Sequence, residues 1–313
     1  MSPVTYDIWH WLKIKIFVSY KQILKNNRAK KRRRCDRMRT YSIVFLDIDG
    51  TLLNSRHQIM PCTHNHLKYL QERGVPIILC SARPPKGVNL VADQAELHGP
   101  IACYNGGLII DEGYTLLRDV GIDIQLAIDF KRFVSERFPD LVVSAYLYSV
   151  WLAEDPKHPL ILQESEISGC TPLQGSMEQV AFAATHIHKL LCMGDAMRIR
   201  ALQNEVRQHF PQLMALRSKS TYLEILPLES TKGSAAEVLL AHYGLKQEQA
   251  VAFGDSDVDV DMLQYCGFGV AMGNAPRQVK EAADYVTASN DEEGVYIALN
   301  SLRLKAPGGV KMR

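Results

Sequence analysis

The sequence predicts an α/β fold in which a parallel β-sheet carries helices on both faces and is interrupted by a separate α+β insertion. Short apolar runs rich in β-branched residues alternate with helical patterns from Ser42 onward. The same alternation returns after about residue 222. Between the two halves, residues 113–220 carry helices and strands without this regular alternation. That difference predicts a distinct module inserted into the first one.

The elements of the first half follow directly from this alternation. They are a strand over 42–46 (SIVFL), a helix over 63–73, a strand over 76–80, a helix over 86–97 and a strand over 100–104. Polar residues begin where each strand ends. Because ligands bind outside the carboxyl ends of parallel strands, Asp47, Ser81 and Asn105 are expected along one rim of the sheet.

The second half and the insertion are predicted in the same way. Strands are expected over 222–226, 250–254 and 267–272, and helices over 231–243, 258–265 and 276–283. The insertion is expected to hold helices near 122–138 and 196–209 and strands that include VVSAYLY and HKLLCMG. These patterns predict a core at 41–112 and 221–303, an insertion at 113–220, a basic N-terminal extension at 1–40 and a tail at 304–313.

Composition places the chain among globular proteins. Its 313 residues are 47% hydrophobic, which is enough to bury a sizeable core. The seven cysteines are widely scattered and include no C-x-x-C pair, a pattern typical of reduced thiols. We therefore expect a cytoplasmic protein.

The first forty residues differ in charge from the rest of the chain. They hold twelve Lys and Arg against two acidic residues, so the remainder holds 24 basic and 32 acidic residues, a net charge of −8. Nucleic-acid enzymes more often have a basic body, so no nucleic-acid partner is expected for the core. The cluster RAKKRRR at 28–34 is open to three interpretations: an anion-binding segment, a disordered and dispensable arm, or translated sequence ahead of a start at Met38.

The N-terminal apolar stretch at 8–20 does not have the features of a membrane segment. It is interrupted by His10, Lys13 and Lys15 and is shorter than the ~20 residues that a bilayer requires. The basic cluster follows this stretch, whereas in a secretory signal it would precede it. We therefore expect neither membrane association nor export.

Four segments of the two core halves carry the residues from which a catalytic site could be built. They are Asp47-x-Asp49-Gly50-Thr51, Ser81, Lys232, and the acidic run Asp255, Asp257, Asp259 and Asp261. Carboxylates that converge at one rim repel one another and stay ionised together only if a cation neutralises them. A hard cation such as Mg²⁺ suits oxygen ligands. Together with an ammonium and a hydroxyl, such a site is suited to stabilising a phosphoryl group during its transfer.

The pair Asp47 and Asp49 predicts a division of labour. One carboxylate can attack phosphorus, and the second, two residues further on, can protonate the departing oxygen and then activate water. Gly50 allows the backbone to approach the phosphate closely. The segment therefore predicts hydrolysis in two steps through an aspartyl phosphate.

These motifs resemble those of the haloacid dehalogenase superfamily, and within it the Cof-like phosphatases, over roughly residues 41–302. DIDGTLL resembles the first motif of the superfamily, Ser81 in CSAR the second, Lys232 in STKGSA the third and GDSDVDVDML the fourth. The phrases YNGG, GVAMGNA and EEGV are similar to Cof-like sequences in particular. The resemblance implies a Rossmann-like three-layer core with an inserted α+β cap.

The resemblance also implies a role for each matching residue. Asp47 would be the nucleophile and Asp49 the general acid and base. Thr51, Ser81 and Lys232 would bind the phosphoryl group. The implied ligands of Mg²⁺ are Asp47, the backbone carbonyl of Asp49, and Asp255, with Asp259 supporting through water or Lys232. Arg83 and Asn105 would lie near the leaving group.

Two positions depart from the pattern of the family. Ser81-Ala82-Arg83 stands where Thr-Gly-Arg is common, which keeps the hydroxyl and loses the glycine. Val258 stands where an asparagine is usual in the fourth motif. The second change is expected to weaken metal affinity or turnover.

Other polar and aromatic residues receive different interpretations. Asp257 and Asp261 are expected to face solvent or to cap the next helix. The pairs His64-x-His66 and His186-x-His188 have no Cys or third His at zinc-ligand spacing, which favours packing or surface roles. The aromatic residues of the insertion could line a substrate pocket or form its core, and both interpretations stay open for Tyr146, Tyr148 and Trp151.

The sequence therefore predicts a Mg²⁺-dependent phosphatase that acts on small phosphorylated metabolites such as sugar phosphates, nucleotides or phosphorylated cofactors. Two alternatives use the same residues. A phosphotransferase or sugar-phosphate mutase would pass the aspartyl phosphate to another acceptor, and a non-catalytic sensor would bind the phosphorylated ligand without turnover.

Overall fold

The computed structural model describes residues 39–308 of the chain. The prediction for the basic extension, apart from residues 39 and 40, and that for the end of the tail lie outside the described residues. The strands are β1 (Thr40–Tyr41), β2 (Ile43–Asp47), β3 (Ile77–Cys80), β4 (Ile101–Cys103), β5 (Leu108–Ile110), β6 (Leu116–Asp119), β7 (Ile122–Asp123), β8 (Val142–Leu147), β9 (Val150–Ala153), β10 (Leu173–Gln174), β11 (His186–Ile187), β12 (Lys189–Met193), β13 (Leu213–Lys219), β14 (Tyr222–Pro227), β15 (Ala250–Gly254), β16 (Phe268–Ala271), β17 (Tyr285–Val286) and β18 (Arg303–Leu304).

Helices follow most of the predicted positions within one to three residues. They are α1 (Pro61–Glu72), α2 (Pro85–Gln94), α3 (Ile124–Arg137), α4 (Pro159–Ser168), α5 (Met177–Val180), α6 (Ala196–His209), α7 (Lys232–His242), α8 (Val260–Tyr265), α9 (Arg277–Ala282) and α10 (Gly294–Asn300). Short 3₁₀ turns cover Tyr104–Gly106, Gln247–Gln249 and Asp257–Asp259.

The core is an eight-stranded sheet in the order β17-β16-β15-β2-β3-β4-β5-β6. The pairs from β17 to β4 are parallel, and β5 and β6 continue the sheet in antiparallel pairs. Strand β2 shows why helices must cover both faces, because all five of its residues are buried. Ile43 and Phe45 pack with α7, α8 and α9, whereas Val44 and Leu46 pack with α1, α2 and α10. The predicted three-layer α/β core is confirmed.

The insertion forms a second sheet of six strands in the order β10-β9-β8-β12-β14-β13. Its pairs are antiparallel except β10 with β9. Alternate side chains of β8, β12 and β14 pack on one face against α3 and α6. The opposite face, which includes Tyr146, Trp151 and Leu191, belongs to the same apolar cluster as Tyr104 of the core. One face of the insertion sheet is therefore turned toward the core.

The sheet topology corrects both predicted limits of the insertion. Strand β14 was expected in the core, but it pairs with β12 and β13 of the insertion sheet. Strand β6 was expected in the insertion, but it pairs with β5 at the edge of the core sheet. The inserted segment therefore lies between Asp119 and Pro227. The apolar pattern of each strand predicted that it pairs, but not with which partner, because period-two alternation carries no information about the neighbouring strand.

Among residues 39–308, no helix combines the length and the apolar character needed to cross a bilayer.

Candidate active site

Four strands deliver the predicted site residues to one edge of the core sheet. Asp47 is the last residue of β2, Ser81 follows β3, Asn105 follows β4 and Asp255 follows β15. Strands β15, β2, β3 and β4 are parallel neighbours, so their carboxyl ends share that edge. The structure therefore brings these four residues to the rim where an α/β sheet binds its ligands.

At the centre of the rim is a buried ammonium group. Nζ of Lys232 donates to Oδ1 of Asp47 at 2.5 Å and to Oδ1 of Asp259 at 2.5 Å, and only 1% of the lysine is exposed. Lys232 is the first residue of α7, where the helix dipole disfavours a cation. Burial opposes its charge, but the carboxylates of Asp259 and Asp47 outweigh this effect and raise the pKa of Lys232. The lysine therefore stays charged.

The carboxylates around Lys232 carry more negative charge than one ammonium group can neutralise. Burial, followed by the charge of Asp259, raises the pKa of Asp47 well above its ordinary value and also raises the pKa of Asp255. Carboxylate oxygens of Asp47, Asp255 and Asp259 all lie within 4.8 Å of one another. A largely buried set of hard oxygen donors with excess negative charge fits a divalent cation of the Mg²⁺ type.

Asp259 has too many protein partners to be a simple metal ligand. Its Oδ2 accepts from the backbone N–H of Asp255 at 3.1 Å, from the backbone N–H of Ser256 at 2.9 Å and from the hydroxyl of Ser256 at 2.7 Å. Its Oδ1 accepts from Lys232. These contacts favour the indirect support that was expected of Asp259 over direct coordination.

Both carboxylate oxygens of Asp255 accept hydrogen bonds from neighbouring side chains. The hydroxyl of Thr51 donates to Oδ1 at 3.1 Å, and the amide Nδ2 of Asn274 donates to Oδ2 at 3.2 Å and to the backbone carbonyl of Gly50 at 2.8 Å. Thr51 was predicted to bind phosphate, and its contact with Asp255 favours a positioning role. Asn274 was not predicted, although it lies in the phrase GVAMGNA. Gly50 has φ of 81°, and a Cβ there would lie 2.3 Å from Oδ2 of Asp255.

Ser81 and Arg83 lie beside the two aspartates of the first motif. Ser81 is 2% exposed, and its hydroxyl accepts from the backbone N–H of Arg83 at 3.2 Å. Arg83 donates from Nε to Oδ2 of Asp49 at 2.8 Å and from Nη2 to Oδ1 at 2.6 Å. The side chain of Asp49 is 49% exposed, so it faces the open side of the rim.

Asn105 is held in a strained, buried position. It is 2% exposed, has φ of 54° and donates its backbone N–H to the carbonyl of Ser81 at 2.9 Å. Within the described residues its side-chain Oδ1 has no hydrogen-bond partner. A left-handed asparagine with an unsatisfied buried oxygen is typical of a functional position. This observation fits the ligand-contacting role that was predicted for it.

The two aspartates without a predicted role occupy different environments. Asp257 is exposed, and its Oδ2 accepts from Nε2 of Gln278 at 3.5 Å. Asp261 accepts from the backbone N–H of Gly233 at 2.9 Å and so helps to fix the first turn of α7 behind Lys232. Val258 lies half-buried between Asp257 and Asp259 in a 3₁₀ turn.

A second cluster of polar residues joins the insertion to the core. Asp119, at the end of β6, accepts at Oδ1 from Nε2 of His186 at 2.9 Å and from Nε2 of His188 at 3.0 Å. It accepts at Oδ2 from the hydroxyl of Tyr148 at 2.7 Å. Asp119 supplies the third potential metal ligand that the sequence did not reveal, because it lies 67 residues before His186.

The hydrogen bonds of His188 argue against a metal in that second cluster. Its Nδ1 accepts from the backbone N–H of Tyr148 at 3.1 Å, so the ring proton resides on Nε2 and points at Asp119. A metal-bound histidine needs a free lone pair on one nitrogen and a proton on the other, which usually donates outward. The other histidine pair does not converge on a shared carboxylate: His64 lies 3.5 Å from Glu96, whereas His66 packs on Tyr296.

The aromatic residues of the insertion take two roles. Tyr146 and Trp151 are each 2% exposed and stack with ring centroids 5.5 Å apart, so they form core. Tyr148 is exposed, and its hydroxyl donates a hydrogen bond to Asp119.

Comparison with known proteins gives concordant results. Residues 44–299 match the profile of a family described as haloacid dehalogenase-like hydrolases. A Haemophilus influenzae protein named as a phosphatase is 33% identical over 260 residues, which cover 83% of this chain and 97% of the relative. The 5-amino-6-(5-phospho-D-ribitylamino)uracil phosphatase of Bacillus subtilis is 29% identical over 280 residues, which cover 83% of this chain and 97% of the relative.

Solved structures agree with the sequence relatives. The crystal structure of a haloacid dehalogenase-like hydrolase from Bacteroides thetaiotaomicron superposes with a TM-score of 0.76 and is 30% identical. The match covers 83% of this chain and 99% of that one.

Proposed function

The chain belongs to the haloacid dehalogenase-like hydrolase family and is a phosphoric monoester hydrolase, and from this premise we propose that it hydrolyses small phosphorylated metabolites through an aspartyl phosphate on Asp47. The observation that carries the proposal is the convergence of Asp47, Asp255 and Asp259 around the buried ammonium of Lys232 at the strand ends. Such a site compensates the negative charge of a phosphoryl group during transfer.

In the first step, Asp47 attacks phosphorus and the bond to the leaving oxygen breaks. Lys232 fixes one carboxylate oxygen of Asp47 and limits its orientation. Asp49, two residues away on the exposed side of the rim, gives its proton to the leaving oxygen. In the second step Asp49 takes a proton from the water that attacks phosphorus, which frees Asp47 and inorganic phosphate.

The other residues of the rim stabilise charge. Ser81 and Lys232 would donate to the phosphoryl oxygens, and Arg83 and Asn105 would contact the leaving group or the phosphate. Asp47, Asp255 and the backbone carbonyl of Asp49 would hold Mg²⁺, which neutralises phosphoryl oxygens when bound. Thr51, Asn274 and Asp259 would keep these ligands in place through the contacts described above.

The chemistry of the site and the name of one relative support the proposed substrate class. A Bacillus subtilis relative is named for a phosphorylated ribitylamino-uracil, which is a small soluble phosphate ester. We propose the same broad class here, with sugar phosphates, nucleotides and phosphorylated cofactors as candidates. Unpaired cysteines in the described part of the chain support a reducing, cytoplasmic location.

The test is phosphate release by the purified chain. Hydrolysis of p-nitrophenyl phosphate should require Mg²⁺ and should stop when EDTA removes it. A panel of phosphorylated metabolites then identifies the preferred ester. The Asp47→Asn variant, purified by the same procedure, is the control for contaminating phosphatases. No release from any ester by the folded protein would overturn the proposal. Cleavage of the ester only with an added acceptor, with the phosphoryl group recovered on that acceptor and not as inorganic phosphate, would favour the phosphotransferase alternative instead.

A further inference from the structure

Lys189 of the insertion is a buried lysine that reaches the core beside the proposed active site. It is 6% exposed, and its Nζ donates to the backbone carbonyl of Ala82 at 3.0 Å. Ala82 lies between Ser81 and Arg83, the two residues proposed to contact the phosphate and the leaving group. No sequence motif singled out Lys189.

The backbone around Ala82 shows what this contact contributes. The carbonyl of Ser81 accepts from the backbone N–H of Asn105 at 2.9 Å, and the carbonyl of Arg83 accepts from the backbone N–H of Tyr104 at 3.2 Å. The carbonyl of Ala82, between them, accepts from Lys189. The core thus binds the first and third of three successive carbonyl groups, and the insertion binds the second.

The charge of Lys189 is compensated inside the insertion. Its Nζ lies 3.6 Å from Oε2 of Glu224 on β14 and 4.9 Å from the ring centroid of Tyr146 on β8. Because these partners belong to the insertion, breaking the bond to Ala82 would not leave a bare buried charge.

The neighbouring residue fixes the position of Lys189 along the core. His188 donates to Asp119 of core strand β6, and its ring stacks on Tyr104 with centroids 5.1 Å apart. Tyr104 in turn donates its hydroxyl to the backbone carbonyl of Tyr148 at 2.5 Å. These contacts place Lys189 over Ala82 when the insertion lies against the core.

We propose that Lys189 is a positioning residue for the reaction, whose ammonium orders the segment Ser81–Arg83 only when the insertion is closed over the core. The inference rests on the proposed function, because it assumes that Ser81 and Arg83 act on the phosphorylated substrate. Closure would then complete the catalytic site as well as cover it.

The test compares Lys189→Met with a double variant, Lys189→Met with Glu224→Leu. The double variant leaves no unpaired buried charge, so it separates positioning from folding. In both, we expect kcat for p-nitrophenyl phosphate to fall ~10- to 100-fold, the effect of misplacing groups that contact the phosphate. Amide hydrogen exchange at Ala82 and Arg83 should become faster, because the segment loses a hydrogen bond.

A control variant keeps the contact with Ala82. Lys131→Met removes a lysine that pairs with Glu154 inside the insertion. It should retain kcat and the native exchange rate at Ala82. Unchanged kcat or unchanged exchange in the folded double variant would overturn the role of Lys189. If the native chain hydrolyses no ester, the proposed function fails, and the exchange comparison still tests whether Lys189 orders the segment.

Discussion

Arg83 binds both carboxylate oxygens of Asp49 through two parallel hydrogen bonds, 2.8 Å from Nε and 2.6 Å from Nη2. This geometry fixes the orientation of the proposed general acid before substrate arrives. A phosphate group is a competing partner for the same guanidinium, because it offers oxygens in a similar arrangement. We infer that Arg83 both holds Asp49 and meets the substrate.

Arg83→Lys should therefore lower kcat roughly 10- to 100-fold, the rate equivalent of one hydrogen bond to a charged group. Lysine keeps the charge but cannot bind two carboxylate oxygens side by side. Steady-state kinetics with p-nitrophenyl phosphate measures the effect, and Arg277→Lys, on an exposed arginine paired with Glu281, is the matched control. Equal kcat values for the two variants would show that the paired contact does not matter for turnover.

Asp47→Asn should abolish hydrolysis while the fold stays intact. An amide has nearly the shape of the carboxylate but cannot attack phosphorus, so we expect a loss of at least ~10³-fold in rate. Asp257→Asn makes the same change on an exposed aspartate and should keep its activity. Circular dichroism verifies folding. Near-native activity of a folded Asp47→Asn preparation would exclude Asp47 as the nucleophile.

The pH dependence of hydrolysis should change with the concentration of Mg²⁺. Burial and neighbouring carboxylates raise the pKa of Asp47 and of Asp255, so without cation both groups protonate at a higher pH than usual. Activity should fall as pH decreases through these raised values, because the nucleophile and the cation ligand must be ionised. A bound cation competes with the protons. More Mg²⁺ should therefore move the acidic limb of the kcat/KM profile to lower pH, and a limb that does not move would contradict this coupling.

The positions that the sequence could predict are those that belong to local patterns. Asp47 ends a buried strand and Ser81 follows one, so strand order alone places them at one rim. The contacts of Asp119 and Lys189 are different, because each depends on how the insertion lies on the core. Strand β14 was assigned to the wrong sheet for the same reason. Local periodicity predicts that a strand exists, whereas its partner depends on tertiary packing.

Val258→Asn should raise the affinity for Mg²⁺ or the turnover about 10-fold, a typical effect of one polar partner beside a metal site. Valine can neither donate nor accept a hydrogen bond, and it lies half-buried between Asp257 and Asp259. A Mg²⁺ titration of hydrolysis compares the variant with the native protein, and Val150→Asn, on a distant strand of the insertion, is the control. If the variant gains nothing, Asn274, which already binds Asp255, supplies the amide that the site needs.

The stability of the protein should depend on pH because of His188, and substitution of His188 should remove this dependence. The ring is fully buried against Tyr104, donates from Nε2 to Asp119 and accepts at Nδ1 from the backbone of Tyr148. Protonation would place a second N–H against that backbone donor. Burial lowers the pKa of His188 from 6.5 to about 4, an effect that the carboxylate of Asp119 opposes and the neighbouring His186 reinforces.

The sign of the effect follows from this lowered pKa. Between pH 6.5 and pH 4 the unfolded chain binds the proton more readily than the folded protein does, so stability is complete above pH 6.5 and is lost as pH falls toward 4. From pH 7 to pH 5 the loss should be about 2 kcal/mol in the free energy of unfolding. Urea unfolding across this range measures it for the native protein, for His188→Gln and for His209→Gln, which alters a partly exposed histidine. We expect His188→Gln to lose most of this slope and His209→Gln to keep it, and equal slopes in all three proteins would refute the assignment.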